Sequence, residues 1–159
     1  MENINFLDRR FMEFKLGGLL YAVPLLTIKE VIQKPEVTSI PNMPSHFEGM
    51  MNLRGQILGV YSIRKKLGAK PLPENSTESK NQVVMVIETG GVTAGMVVDE
   101  VTKVLHVEEK MCKEAPLKED DPARAYVNAV IQQEDELVLI LDVYKLLDLE
   151  KFKKISTAA

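Results

Sequence analysis

The two histidines and the single cysteine of this chain are the side chains most suited to act as nucleophiles, general bases or metal ligands at neutral pH. His46 and His106 lie far apart in sequence and match no metal-ligand spacing, so each is more typical of a surface or strand-edge histidine. Cys112 lies beside Lys113 but belongs to no nucleophile motif, so we interpret it as a plain free thiol. These residues do not predict a reaction centre.

Sequence motifs for catalysis point the same way. The chain has no G-x-S-x-G, no glycine-rich phosphate loop followed by Lys-Ser/Thr, and no dinucleotide fingerprint. Asp99 and Glu100 are adjacent in a strand region, and their side chains should therefore point to opposite faces and make a poor acid–base pair. We expect no enzymatic activity, no metal site and no cofactor.

One charged pair does suggest a function. Arg54 lies inside the apolar run 49–60, and burying an unpaired ion costs several kcal/mol, so it must find a carboxylate, reach the surface or contact another protein. Glu30 lies in a second apolar run, 26–32, and could satisfy Arg54 through charge-assisted hydrogen bonds. Two interpretations stay open: a structural pair or two surface charges, or a pair at the rim of an apolar groove where a partner docks.

Composition bounds the class of protein. The 159 residues are 45% apolar and 27% charged, typical of one globular domain or of two small subdomains that share a face. The net charge of −3, the 6% aromatic content and the absence of tryptophan argue against a nucleic-acid surface. The basic clusters 64–66 and 151–154 are typical of solvated faces or helix ends.

Several features of the sequence predict a cytoplasmic location. A single cysteine cannot form an internal disulfide, which fits a reducing compartment. Residues 1–5 do not resemble a signal peptide, and no run approaches the ~18 apolar residues of a membrane helix. We therefore expect a soluble cytoplasmic protein.

Short apolar runs separated by tight turns predict an all-β barrel or sandwich. Helices should be few: about one turn from Ser45, which has capping-box spacing to Glu48, and a C-terminal helix capped by Asp142 that continues into a charged tail, 150–159. The predicted hairpins join 12–16 to 19–23 across Gly17–Gly18, 83–89 to 92–98 across Gly90–Gly91, and 126–132 to 137–141 across the polar residues 133–136.

A weak internal repeat suggests two subdomains. Gly17–Gly18 aligns with Gly90–Gly91 at an offset of 73 residues, as do Ile28 with Val101 and Val31 with Val104. Residues 60–67 align with 140–147 at the slightly larger offset of 80. We predict one domain over 10–150, built of two barrels at about 10–68 and 83–148 around a loop at 69–82, with exchange of strands between them left open.

Six segments in order identify a family resemblance. The chain resembles the CheW-type coupling proteins of bacterial chemotaxis over roughly residues 11 to 148. The matching segments are Phe14-x-Leu16-Gly17 with Tyr21-Ala22-Val23-Pro24, then 28–32, Ile40-Pro41-x-x-Pro44, 49–60, 94–105 and 139–147. The family often has Pro at Gly59 and Asp at Ser62, departures that affect a strand end only.

The resemblance implies a fold and a role. The fold would be two packed SH3-like five-stranded β-barrels with short helices, without enzymatic activity. Such proteins are adaptors that link the cytoplasmic tips of methyl-accepting receptors to the regulatory domain of the histidine kinase CheA and scaffold the signalling array. Alternatives are an adaptor of a related twitching or developmental pathway and, less favoured, a small-barrel nucleic-acid or ligand binder.

The resemblance also implies two binding surfaces, of which the receptor groove is carried over by motif. The kinase surface would belong to the end of one barrel, and we expect the 35–41 loop to take part, with Pro35, Val37, Ile40 and Pro41. The receptor tip would dock in a groove between the barrels formed by Ile28, Glu30, Gly49, Arg54, Val101 and Val104.

Overall fold

Ten strands and a few single-turn helices make up the computed structural model, which describes residues 9–70, 72–73 and 76–147. The helices are α1 (Ile63–Lys66), α2 (Thr77–Lys80) and α3 (Val143–Leu146), with 3-10 turns at Leu25–Thr27, Glu109–Met111 and Pro122–Tyr126. The strands are β1 (Arg10–Leu16), β2 (Leu19–Pro24), β3 (Ile28–Gln33), β4 (Phe47–Leu53), β5 (Gln56–Ser62), β6 (Val83–Thr89), β7 (Val92–Val98), β8 (Glu100–His106), β9 (Val127–Gln133) and β10 (Glu136–Leu141).

Two-residue turns close the hairpins. Gly17–Gly18 and Gly90–Gly91 all have positive φ, which primed hairpin turns require, so the first two predicted hairpins are confirmed. The third hairpin turns at Glu134–Asp135 alone, because Gln133 still pairs with Glu136; its loop is shorter than the predicted four residues.

The strands form two five-stranded sheets, which are the two SH3-like barrels that the family resemblance implies. Barrel 1 has the order β8-β1-β2-β10-β9, and barrel 2 has the order β3-β6-β7-β5-β4. Neighbouring strands are antiparallel except for β2 with β10 and β5 with β7, which are parallel. The all-β fold class is confirmed.

The two barrels exchange strands reciprocally. Exchanging each of β1–β5 with the strand five places later in the chain converts the order of one barrel into that of the other, as an internal duplication requires. However, β1 and β2 pair with β8 and β10, whereas β6 and β7 pair with β3 and β5. The sequence division into 10–68 and 83–148 therefore does not coincide with the barrels.

The exchange follows from apolar residues on both faces of the swapped hairpins. Neighbours such as Tyr21 and Ala22 are both buried but on opposite faces, Tyr21 between the barrels and Ala22 inside barrel 1. The inter-barrel core includes Phe14, Leu16, Tyr21, Val23, Tyr61, Ile63, Met85, Ile87, Met96 and Val98. Two smaller cores fill the barrels: one includes Phe11, Ala22, Leu105, Ile131 and Ile140, the other Met51, Leu58, Val60, Val84, Val86 and Val97.

The predicted helices have mixed outcomes. The helix at Ser45 is wrong: Ser45 lies in a turn and Phe47 begins β4, because Phe47 pairs with Tyr61 and packs edge-on against its ring. The C-terminal helix is confirmed as α3, whose N3 amide, from Lys145, donates to Asp142 Oδ1 at 3.1 Å. The predicted tail 150–159 lies outside the described residues. In the part of the chain that the structure describes, no helix is long and apolar enough to span a bilayer.

Candidate protein-docking surface

Strands β3 and β8 occupy equivalent places at the edges of the two barrels. Each exposes one flank, because β3 pairs with β6 and β8 pairs with β1 in the sheet orders. Ile28 in β3 lies opposite Ile87, and Val101 in β8 lies opposite Phe14. Ile28 and Val101 are half-buried against the inter-barrel core, so both edge strands border it.

Two valines extend this apolar surface into solvent. Val31 is 39% exposed opposite the buried Met85, and Val104 is 49% exposed opposite Met12, which packs on the inter-barrel core. Cross-strand partners share a face, so both valines lie on the inter-barrel side of their strands. We call Ile28, Val31, Val101 and Val104 the edge patch.

Val31 was missed when the groove residues were assigned by motif. A signal for it existed, because Val31 aligns with Val104 at the repeat offset of 73. The duplication therefore identifies the edge patch more completely than the family motif does.

The pairing considered for Glu30 and Arg54 is present. Arg54 Nη2 donates to Glu30 Oε1, and the Arg54 side chain is 67% exposed. Arg54 does not interrupt a strand: with φ of 50° it forms the β4–β5 turn with Gly55, whose amide donates to Asn52 Oδ1 at 2.8 Å. The apolar run 49–60 is two strands, and the arginine is at their solvent-exposed tip.

This ion pair lies beside the edge patch. The β3 register shifts between Ile28 and Glu30, so Ile28 is opposite Ile87 of the inter-barrel core whereas Glu30 is opposite Val86 of the barrel 2 interior. Glu30 thus takes the other face of β3. The pair ties the β4–β5 turn to the strand that carries Val31.

Gly49 lies elsewhere in barrel 2. It is buried, its φ is 145°, and a Cβ there would be 2.1 Å from the Thr38 carbonyl oxygen. Thr38 and Met50 exchange backbone hydrogen bonds of 2.8 and 2.9 Å across this contact. Gly49 therefore lets the 37–38 segment pack against β4, and the structure does not bring it to the edge patch.

The segment assigned to kinase binding connects β3 to β4. Val37 is half-buried and packs on the barrel 2 core, and Pro35 is also half-buried. Ile40 and Pro41 are exposed, and so is the nearby Met43. The loop is thus anchored at Val37 and presents apolar side chains beyond it.

Groups with reactive side chains are dispersed. His46 stacks on Tyr61, with ring centroids 6.2 Å apart, and its Nε2 is 3.4 Å from Lys66 Nζ. His106 is exposed at the end of β8. Burial, and secondarily Glu109, raise the pKa of the Cys112 thiol. Across the described residues, no group of three or more His, Cys, Asp and Glu side chains could hold a metal ion.

The basic cluster 64–66 was expected on a solvated face or at a helix end. All three residues lie in the last turn of α1, but Arg64 is not solvated: it is buried and forms an ion pair with Asp99. Lys65 is exposed and Lys66 is half-buried, and α1 contacts β7.

Comparisons with known proteins agree with this architecture. The chemotaxis protein CheW of Klebsiella aerogenes is 28% identical over 151 residues, covering 95% of this chain and 89% of that protein. Protein PilI of Pseudomonas aeruginosa is 32% identical over 93 residues, 58% of this chain and 50% of that protein. The crystal structure of scaffolding protein TtCheW from Thermoanaerobacter tengcongensis superposes with a TM-score of 0.75, with 27% identity and coverage of 87% of this chain and 86% of that one. The family model of the CheW-like domain matches residues 10–151, and the chain belongs to that family.

Proposed function

We propose that this protein is a non-enzymatic chemotaxis adaptor that couples methyl-accepting chemoreceptors to the histidine kinase CheA and helps to scaffold their array. It works in the cytoplasm and is recruited to receptors held in the membrane. The observation that carries the proposal is the edge patch: two equivalent edge strands expose Val31 and Val104 beside the inter-barrel core. Membership of the CheW-like family supports the same role.

The edge patch suits the apolar face of a receptor helix. Fully burying an aliphatic side chain contributes roughly 1.5–3 kcal/mol before the costs of association. Four such side chains, already half-buried in part, support micromolar binding, which corresponds to about −8 kcal/mol. An array gains its strength from many weak contacts, so a modest single affinity fits the role.

The kinase regulatory domain would dock on barrel 2 through the 35–41 loop. Ile40 and Pro41 are exposed there, while Val37 holds the loop to the barrel. The loop and the edge patch use different residues, so in this proposal one adaptor molecule holds a receptor and a kinase together.

The test is binding of a receptor cytoplasmic fragment and of a CheA regulatory domain, each measured by calorimetry. Val31→Asp and Val104→Asp should weaken receptor binding at least about tenfold, because each places a charge in an apolar contact, and should leave kinase binding unchanged. Leu137→Asp is the matched control, since Leu137 is also an exposed apolar residue, on the β9–β10 hairpin. Binding of neither partner by the wild-type protein would refute the proposal.

The role of the Glu30–Arg54 pair has its own test. Glu30→Ala and Arg54→Ala should each weaken receptor binding, because the pair holds the β4–β5 turn against β3. The reversed pair Glu30→Arg/Arg54→Glu should recover part of the loss. Unchanged affinity in both single variants would remove the pair from the receptor site.

An adaptor of a related pathway is the second candidate, favoured by the match to PilI. That match covers about half of each chain, whereas the match to CheW of Klebsiella aerogenes covers nearly all of both. Receptor fragments from a chemotaxis cluster and from a twitching cluster, compared in the same assay, separate the two. Preference for the twitching fragment would favour this second candidate.

A further inference from the structure

Asp99 lies where the chain crosses from barrel 2 to barrel 1. It is the single residue between β7 and β8, and its amide donates to the Lys15 carbonyl at 3.1 Å. Its Oδ2 accepts from the Gly17 amide, at 3.0 Å, in the β1–β2 turn of barrel 1. The same oxygen accepts from Arg64 Nη2 in α1, which follows β5 of barrel 2. One carboxylate therefore joins elements of both barrels at their crossover.

The Arg64 side chain is buried at this junction. Its side chain is only 9% exposed, and that of Asp99 is 21% exposed. Arg64 Nη1 also donates to the Lys70 carbonyl, which holds the loop after α1. Nothing in the described part of the chain accepts a hydrogen bond from its buried Nε. A guanidinium is desolvated here although one donor stays unsatisfied, so the ion pair must supply the compensation.

The β1–β2 turn packs against the same place. A Cβ at Gly17 would be 3.4 Å from Ala69 Cβ and 3.8 Å from Arg64 Nη1. A turn of barrel 1 therefore rests on the α1 end of barrel 2, next to the ion pair. The two barrels therefore come close here, leaving room for a Cβ at ordinary van der Waals distance, beside the charged contact.

The duplicated half of the molecule lacks this arrangement. Leu26 takes the position equivalent to Asp99, at the offset of 73, and is an exposed residue. Tyr144 takes the position equivalent to Arg64, at the offset of 80, and its ring lies 3.4 Å from a Cβ placed at Gly90. At the second crossover, a tyrosine ring thus takes the place of the guanidinium, and Leu26 supplies no carboxylate. An ion pair is not a requirement of the fold at this junction.

We propose that Arg64 and Asp99 are positioning residues that fix the start of β8 against barrel 2 and so set the spacing of the two halves of the edge patch. Val101 lies two residues after Asp99, so a change in the crossover moves Val101 and Val104 relative to Ile28 and Val31. The expected effect on receptor binding rests on the proposed function, whereas the role of the pair in fixing β8 against barrel 2 is independent of it.

Two measurements test this role of the Arg64–Asp99 pair, which we call the clamp. In a Cys112→Ala background, nitroxide labels at Gln33→Cys on β3 and Lys103→Cys on β8 report the spacing of the edge strands by pulsed electron paramagnetic resonance. Asp99→Asn and Arg64→Gln should broaden or shift the distance distribution, and without labels should weaken receptor-fragment binding about fivefold or more. Glu100→Gln is the matched control: it removes the neighbouring exposed pair with Lys15, which lies within barrel 1, and should change neither readout.

The outcomes separate the clamp from the proposed function. Unchanged distance distributions in folded Asp99→Asn and Arg64→Gln proteins overturn the clamp, whatever their receptor affinity. Changed distributions together with a wild-type protein that binds no receptor fragment support the clamp and count against the proposed function. If a variant does not fold, Arg64→Lys takes its place, because it keeps the charge but loses the planar guanidinium whose two nitrogens reach Asp99 and the Lys70 carbonyl, and an unchanged distribution there counts against the clamp.

Discussion

Two arginines of this chain meet carboxylates in opposite surroundings. Arg54 reaches Glu30 from an exposed turn, where an ion pair contributes about 0–1 kcal/mol to stability. Arg64 meets Asp99 at a buried junction, where loss of one partner leaves an uncompensated charge and costs about 3–5 kcal/mol. The exposed pair is free to serve binding, whereas the buried one holds structure.

Gly49 gives a sharp prediction at the same scale. Gly49→Ala should lower the free energy of unfolding by more than about 3 kcal/mol, because the new Cβ meets the Thr38 carbonyl at 2.1 Å and φ is 145°. Gly18→Ala is the control: its φ of 82° is also strained, but no atom lies within 4 Å, so about 1 kcal/mol is expected. Urea unfolding measures both. Equal losses would contradict the steric explanation.

Cys112 gives a pH-dependent prediction. Burial raises the pKa of its thiol, so the reactive thiolate of the folded protein forms only at more alkaline pH than in the unfolded chain. Burial of the neutral thiol contributes fully to stability at pH values below the thiol pKa of the unfolded chain. This contribution is lost as the pH rises through the thiol pKa of the folded protein. Reaction with a disulfide reagent should therefore be slow at neutral pH and rise at alkaline pH. A native rate equal to that in guanidinium at neutral pH would contradict this.

At the scale of elements, tight turns and caps decide where strands end. The Arg54–Gly55 turn splits one long apolar run into β4 and β5, and Ser62 ends β5 by capping α1, with Oγ accepting from the Lys65 amide at 3.3 Å. Helix α1 then directs Arg64 to the junction between the barrels. A short capped turn thus positions the buried charge.

The two serine caps should differ in their effect. Ser62→Ala should cost about 1 kcal/mol of the free energy of unfolding, because α1 buries Ile63 and Arg64. Ser76→Ala removes the same kind of cap from α2, which buries no residue, so a change within about 0.5 kcal/mol is expected. Chemical denaturation of the two variants measures the difference. A larger loss for Ser76→Ala would contradict the assignment.

At the scale of the molecule, there are three apolar cores, one inside each barrel and one between the barrels. The swapped hairpins β1–β2 and β6–β7 have one face in a barrel and the other in the inter-barrel core. Each barrel consequently contains strands from both halves of the sequence. The edge patch borders the core that both barrels share, so its geometry depends on the whole chain.

Separated halves should therefore not fold alone. Fragments 1–75 and 76–159 each lack strands of both barrels, so each should be largely unfolded by circular dichroism, and mixing them should restore β structure. The cut falls in the connection between β5 and β6, away from every strand. A stably folded single fragment would contradict the interdependence of the barrels.

Features of the fold could be predicted from the sequence where local signals were stronger than long-range contacts. Glycine pairs at 17–18 and 90–91 fix hairpins through their positive φ, and the repeat offsets of 73 and 80 agree with the duplicated strand order. The capping signal at Ser45 failed because strand pairing of Phe47 with Tyr61 outweighed it. Val31 was not assigned from the sequence, because its exposure depends on β3 being an edge strand, which only the sheet order shows.

The sequence by itself determined the all-β class, the two glycine hairpin turns, the duplication and the family resemblance, since these rest on local backbone preferences, on repeated spacing and on motifs. It offered Glu30 as a partner for Arg54 without deciding that they pair. Only the tertiary structure decided that the barrels exchange hairpins, that Gly49 lies under Thr38 and that Arg64 is buried against Asp99. The physical reason is that burial and long-range pairing depend on which faces of distant strands meet. A run of basic residues carries no information about a carboxylate that the fold brings to it from 35 positions away.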